Sequence, residues 1–122
     1  MAAPNLVNVT SILGKSVGAA LGTNADTAIL TCASNKVLKI NSVIVANVDG
    51  TNSANLTVKF HDSSASTNYR LASTVAIPAD STLVVIGKDS PIYLEESDEI
   101  RAGASASSDL EIVISYEELD DA

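Results

Sequence analysis

The side chains that could do chemistry are few and lack partners at useful spacing. His61 is the single histidine, beside Asp62 on the polar side of an alternating stretch, with no second histidine and no cysteine near it in sequence. Metal binding and general acid–base work need several such groups converging on one point, so the pattern predicts a surface histidine. Cys32 is the sole cysteine. That excludes an internal disulfide, fits a reducing compartment or indifference to redox, and predicts a buried, inert thiol. Serines abound, but a serine nucleophile needs a positioned base and usually a glycine-flanked turn, and no Gly-x-Ser-x-Gly element occurs. Gly14, Gly18 and Gly22 recur every four residues, not as Gly-x-Gly-x-x-Gly, and no Lys-Ser/Thr follows them in a phosphate-binding arrangement. No catalytic residue, cofactor-binding residue, cofactor or metal ligand is assigned on this reading, which predicts a protein that is not an enzyme.

The carboxylates remain. Of fifteen Asp and Glu, ten lie between Glu95 and Asp121, whereas six of the seven Lys and Arg precede Glu95. The run Glu95-Glu96-Ser97-Asp98-Glu99 is oxygen-rich, as calcium loops are, yet it lacks their alternating Asp/Asn spacing and their glycine. It reads as a solvated turn, with weak divalent binding or an interface salt bridge as alternatives. Paired carboxylates could hydrolyse glycosides, but such sites stack sugars on aromatic platforms, and this chain has no Trp and one Phe. The tail Glu117-Glu118-Leu119-Asp120-Asp121-Ala122 is expected to solvate the end of a strand; alternatively it meets a basic groove on a partner or repels packaged nucleic acid. A net charge of −8 opposes binding to phosphate backbones, which requires clustered Lys and Arg. If the two halves of the sequence lie at opposite ends of the fold, the molecule is polar along its axis.

The elements that must position these residues are strands. Apolar residues make up 46% of 122 residues and charged ones 18%, enough for one domain to bury a core without staples. Aromatics are 3%, so that core is built from Val, Ile, Leu and Ala. Residues 1–4 show no basic region followed by an apolar one, and no run approaches the ~18 apolar residues of a membrane span. A soluble chain with no membrane association is expected. The sequons at Asn8 and Asn55 read as chance strand sequence.

Apolar residues alternate with polar ones or form short β-branched blocks, and no window sustains a helical period. Leu6 to Leu13 is expected as a first strand. The glycine-spaced segment after it suggests a bend, a bulge or close backbone approach. Thr27 to Cys32 is a second strand, and Val37 to Val48, rich in β-formers, is expected to be central. Asp49-Gly50 reads as a hairpin turn with positive φ, returning through Ala54 to His61 with one dry and one wet face. Tyr69 to Ile77, Leu83 to Ile86, Ile92 to Leu94, Glu99 to Ala104 and Leu110 to Tyr116 complete the pattern. The expected fold is all-β: a single antiparallel β-sandwich of jelly-roll or Ig-like type with about eight or nine strands. It spans residues 1–122, with 1–22 an N-terminal arm or edge segment.

Several strings resemble small virion structural proteins of tailed bacteriophages, particularly marine and cyanobacterial ones. They are Val43-Ile44-Val45-Ala46-Asn47 before Asp49-Gly50, Ile77-Pro78-Ala79 before Leu83-Val84-Val85, Ile92-Tyr93-Leu94-Glu95-Glu96-x-Asp98-x-Ile100, and Ser115-Tyr116-Glu117-Glu118. Where such relatives often carry Gly-Asp before a late strand, this chain has Ser97-Asp98. The resemblance implies a non-enzymatic protein of the virion, assembled in the host cytoplasm. Its foremost role is capsid decoration, as a cement protein bound in many copies to the major capsid protein. A neck, collar, tail or fibre-attachment component, bound to other virion proteins, is the alternative within that class. A carbohydrate- or receptor-binding module using residues 51–54, 62–68 and 105–109 is the alternative outside it. Edge strands and avidity favour a homo-oligomer, a trimer or hexamer. Leu6, Val7, Val9, Ile12 and Leu13 are the candidate assembly contacts.

Overall fold

The computed structural model describes residues 11–120. Nine strands are present among them: β1 (Ile12–Ala20), β2 (Ala28–Thr31), β3 (Lys36–Asn47), β4 (Ala54–Asp62), β5 (Thr67–Ile77), β6 (Thr82–Ile86), β7 (Ile92–Leu94), β8 (Glu99–Ala104) and β9 (Leu110–Asp120). One sheet has the order β1-β9-β3-β6, with β7 also paired to β3, and the other has the order β2-β8-β4-β5. Every pairing is antiparallel. With β6 and β7 taken as two halves of one interrupted strand, this is the eight-strand winding of a jelly roll, in which the first and last strands lie side by side.

Apolar parity decides which way each strand faces. In β4, Leu56 and Val58 point inward, and in β8 Ile100, Ala102 and Ala104 do; they meet Ile112 and Ile114 of β9 in a core where none of these is more than 5% exposed. In β3 the inward residues switch from even to odd, Leu38 and Ile40 and then Val43 and Val45. The switch is made by a bulge, since Ile40 pairs with Tyr116 and Ser42 with Ser115, leaving Asn41 as the extra residue. Each fully buried Leu, Ile or Val contributes about 1.5–3 kcal/mol by leaving water.

Three expectations are corrected by this topology. First, Ile12 and Leu13 begin the first described strand rather than end it, and the segment through Gly14 and Gly18 is not a bend or a bulge. It pairs with β9 from Ile12↔Leu119 to Ala20↔Glu111 in unbroken register. Leu6, Val7 and Val9 lie outside the described residues. Second, Asp49-Gly50 makes no hairpin, because β3 and β4 belong to different sheets, and Gly50 does not have positive φ. The connection is closed by side chains: the Asp49 carboxylate accepts from Thr51 N (2.8 Å) and Asn52 N (3.3 Å). Asn47, 2% exposed, donates to the carbonyls of Asn52 and Ile77 and accepts from Asp49 N. Third, the last strand does not end at Tyr116 but runs on to Asp120, so Glu117 to Asp120 form the end of β9 itself.

The outward face of β4 is drier than its alternation suggests. Lys59 is 8% exposed there, because the segment joining β1 to β2 folds over it. Residues 22 and 27 accept from the β8 amides of Ala104 (2.8 Å) and Ala102 (3.1 Å), while Asn24 and Ala25 cross the outer surface of Gly103. A Cβ on Gly103 would stand 2.6 Å from Ala25 Cα.

Candidate functional site

Lys59 is held under that flap by Asp26, whose Oδ1 lies 2.7 Å from Nζ. The hydrogen bond and charge of Lys59 hold the Asp26 carboxyl below its ordinary value, so the folded state favours the ionised acid. The stability this gives is fully present above the unfolded value of about 3.9 and is lost as pH falls through the lower native one. Asp26→Asn is therefore expected to lower Tm above about pH 5, with the difference from wild type closing as the pH is taken well below about 4. Thermal melts across that range check it, and a difference that persists at pH 2 would remove the ion pair as the cause.

The histidine is part of a polar network on the outer face of the β2-β8-β4-β5 sheet. His61 Nδ1 donates to Asn68 Oδ1 at 2.8 Å, and Arg101, bonded to Glu99 at 2.6 Å, also reaches Asn68 Oδ1 at 3.4 Å. It stands opposite Glu99 in β8 and Asn68 in β5, half-buried. Cys32 is 2% exposed, its Sγ pointing to the Lys36 carbonyl at 3.3 Å, and burial pushes its thiol up to about 11. Such a thiol is a poor nucleophile at neutral pH.

The acids that looked like a ligand set are occupied internally. Asp98, 4% exposed, accepts from Glu95 N (3.0 Å) through one oxygen and from Ser63 N (2.9 Å) through the other. Glu96 accepts from Asn35 N at 2.7 Å. Among the described residues no group of three or more His, Cys, Asp and Glu is arranged to hold a metal ion, and no helix is long and apolar enough to cross a membrane.

Three acids near the end of β9 likewise meet cations of the same chain. Lys15 of β1 reaches Glu118 at 3.2 Å, and Lys36 and Lys39 of β3 reach Asp120 at 3.1 Å and Glu117 at 4.0 Å. Exposed pairs contribute at most about 1 kcal/mol each, but they change the electrostatics. Segregation of charge along the sequence becomes alternation across three neighbouring strands. The axial dipole that the sequence suggested is not formed by these residues.

Exposed apolar side chains occur on both sheets, with Tyr69 and Leu71 on β5, but those of the β1-β9-β3-β6 sheet form a row across its strands. Opposite residues on paired strands share a face, so the registers place Gly18, Val113, Ile44 and Val84 in one row across β1, β9, β3 and β6. Val113, Ile44 and Val84 are 46%, 37% and 58% exposed. Ile12 and Leu13, the predicted contacts that fall within the described residues, are also exposed, at the start of β1 on the rim of this sheet. An open hollow of about 280 Å³ lies where Gly18, Ala19 and Ala20 meet Glu111, Ile112 and Val113. On the opposite sheet a smaller depression, about 150 Å³, is lined by Thr23, Asn55, Thr57, Thr74 and Ser105 among others. The sequence pattern missed this apolar row because its members are consecutive only across strands; Ile44 and Val113 each sit between inward-facing residues, and each looks like core when read alone.

No protein-family model matches this sequence, and comparison with curated proteins returned no match.

Proposed function

We propose that this chain is a non-enzymatic structural protein of a tailed-bacteriophage virion, displayed in many copies and acting as a decoration or cement protein on the major capsid protein. The observation that carries this reading is the exposed apolar row Val113, Ile44 and Val84 across the outer face of one sheet of a jelly roll. An exposed apolar patch supports an assembly surface, and the resemblance of the Val43–Asn47, Ile92–Ile100 and Ser115–Glu118 strings to virion proteins suggests the assembly in question. Capsid decoration accounts for the patch by burying it against a lattice in which the same contact repeats, so that weak individual contacts hold by number.

The test is quantitative mass spectrometry of purified particles, with an electron-microscopy map to locate the density. A copy number in fixed proportion to the major capsid protein is expected. A few copies per particle would move the protein to the neck or tail, and absence from particles would end the virion reading.

A carbohydrate- or receptor-binding module is the second reading, favoured by the hydroxyl and amide side chains around the depression at Thr57 and Ser105. It ranks lower because that depression is smaller than the ~300 Å³ at which small-molecule pockets begin.

A further inference from the structure

We infer that β1 is a strand-addition edge that pairs antiparallel with β1 of a second copy of this chain, about a two-fold axis at Ser16. The inference deepens the multicopy reading above and rests on it for the premise that copies meet.

The argument begins with the backbone. At one end of the β1–β9 pair Leu21 N donates to Leu110 O at 2.9 Å, and at the other Asp120 N donates to Ser11 O at 3.1 Å. The register between them is unbroken, and antiparallel ladders alternate bonded and non-bonded pairs. Odd-numbered residues therefore bond to β9, and Ile12, Gly14, Ser16, Gly18 and Ala20 turn their N–H and C=O groups away from it. No described strand lies on that side. A long row of unpaired backbone groups is a template for another strand.

The other edges are protected and this one is not. β2 has four residues and a register shift. β5 carries two bulges against β4, with Thr74 held at a φ of 53° by a bond from its amide to Thr57 Oγ1. The edge beside β3 is broken into β6 and β7, of five and three residues. Nine residues of β1 run straight, without proline or bulge. Their single charge, Lys15, is bridged to Glu118.

Self-pairing is favoured over an arbitrary partner because the strand is complementary to itself in one register. Centred on Ser16, the pairing sets Gly14 opposite Gly18, Ile12 opposite Ala20 and Ser16 opposite Ser16 of the second copy. All five outward-bonding residues of each chain are then used. Lys15 faces Val17 rather than its own counterpart, and the two lysines are diagonal neighbours, each already neutralised within its chain. Gly14, Ser16, Gly18 and Ala20 keep the outer surface free of bulk, so a second backbone can approach. This gives the four-residue glycine spacing a role: Gly14 and Gly18 lie symmetrically about the axis. Pairing would join the two β1-β9-β3-β6 sheets into one and extend the exposed row at Val113 across both copies.

The test uses the full chain. Sedimentation should show a concentration-dependent dimer or a higher oligomer built from it, and mild oxidation of Ser16→Cys should give a covalent dimer. Bonded antiparallel pairs bring Cα atoms to about 5.5 Å, within disulfide reach, while Cys32 is buried and does not compete. Ser16→Pro removes one outward N–H, no backbone bond to β9 and only the exposed hydroxyl contact with Ser115 at 3.2 Å, and should leave a folded monomer. Ser16→Lys, which sets two cations against each other on the axis, should do the same and decides the matter if the proline variant does not fold. A chain that stays monomeric with no Ser16→Cys cross-link, or a dimer that survives both substitutions, overturns the inference; so does a β1 edge found paired instead with another virion protein. Particles occupied by uncoupled monomers would sink this inference and leave the virion reading standing. A cross-linked dimer absent from particles would do the reverse.

Discussion

Gly103→Ala should destabilise the protein by about 3 kcal/mol, at the upper end of what overpacking costs, and lower Tm by roughly 10 °C. The added methyl group would stand 2.6 Å from Ala25 Cα, 2.7 Å from Ala25 N and 2.9 Å from Asn24 C, all backbone atoms that cannot rotate away. β8 cannot yield either, because it is paired on both sides, to β2 and to β4, and Ala102 and Ala104 are packed in the core. The flap must lift instead. Lifting it weakens the bonds from Ala102 N to Thr27 O and from Ala104 N to Gly22 O and exposes Lys59 without Asp26. Thermal melting gives the size of the effect, and hydrogen exchange gives its place: the Ala102 and Ala104 amides should exchange faster, while those of β9 do not. A variant that melts within about 2 °C of wild type would mean that the flap does not rest on the strand.

Gly103 also shows where the sequence stops being legible. Nothing in Ala102-Gly103-Ala104 distinguishes a glycine needed for close approach from small-residue filler, because the backbone that approaches is almost eighty positions earlier. The strands themselves were readable where one face is buried and the other wet: Glu99–Ala104 has the expected bounds, and Lys36–Asn47 is the expected long inner strand. β1 was misread because its pattern is weak for a physical reason. It is an edge with only Val17 and Ala19 packed against the core, so little of its sequence is constrained by burial, and its strand identity comes from β9. The Asp49-Gly50 turn was misread for another reason. Turn chemistry reports that the chain reverses, not whether it returns to the same sheet or crosses to the facing one.

The charge pattern failed in the same way. Lys15 and Glu118 are 103 positions apart and Lys36 and Asp120 are 84 apart, so counting acids along the chain does not reveal that the winding sets them beside lysines of neighbouring strands. A jelly roll sets its last strand between its first and its third. An acidic last strand flanked by lysine-bearing neighbours is then a consequence of topology, and it leaves the apolar row, rather than a charged pole, as the distinguishing surface of that sheet.

Asp98→Ala should cost about 3 kcal/mol, and Asp98→Asn about half of that. Hydrogen bonds to a charged group contribute roughly 1.5–3 kcal/mol each, and Asp98 accepts two from backbone amides, Glu95 N at 3.0 Å and Ser63 N at 2.9 Å. The first closes its own turn between β7 and β8, where Ser97 is held at a φ of 70°. The second fastens that turn to the loop between β4 and β5. The backbone of the same residues is tied to β2's end, since Cys32 N donates to Asp98 O and Ser97 N to Cys32 O. Alanine would strand both amides at a site that is 4% exposed in the native protein, whereas asparagine keeps one acceptor oxygen and loses the charge. Chemical denaturation of the two variants measures the order and the size. If Asp98→Ala is as stable as wild type, the acidic turn is only solvated, as its sequence suggested. If wild type is instead stabilised by millimolar calcium, then Asp98 oxygens committed here to amides must be free to leave them. The geometry predicts neither result: with both oxygens engaged inward, calcium should leave Tm unchanged while the alanine variant unfolds at markedly lower denaturant.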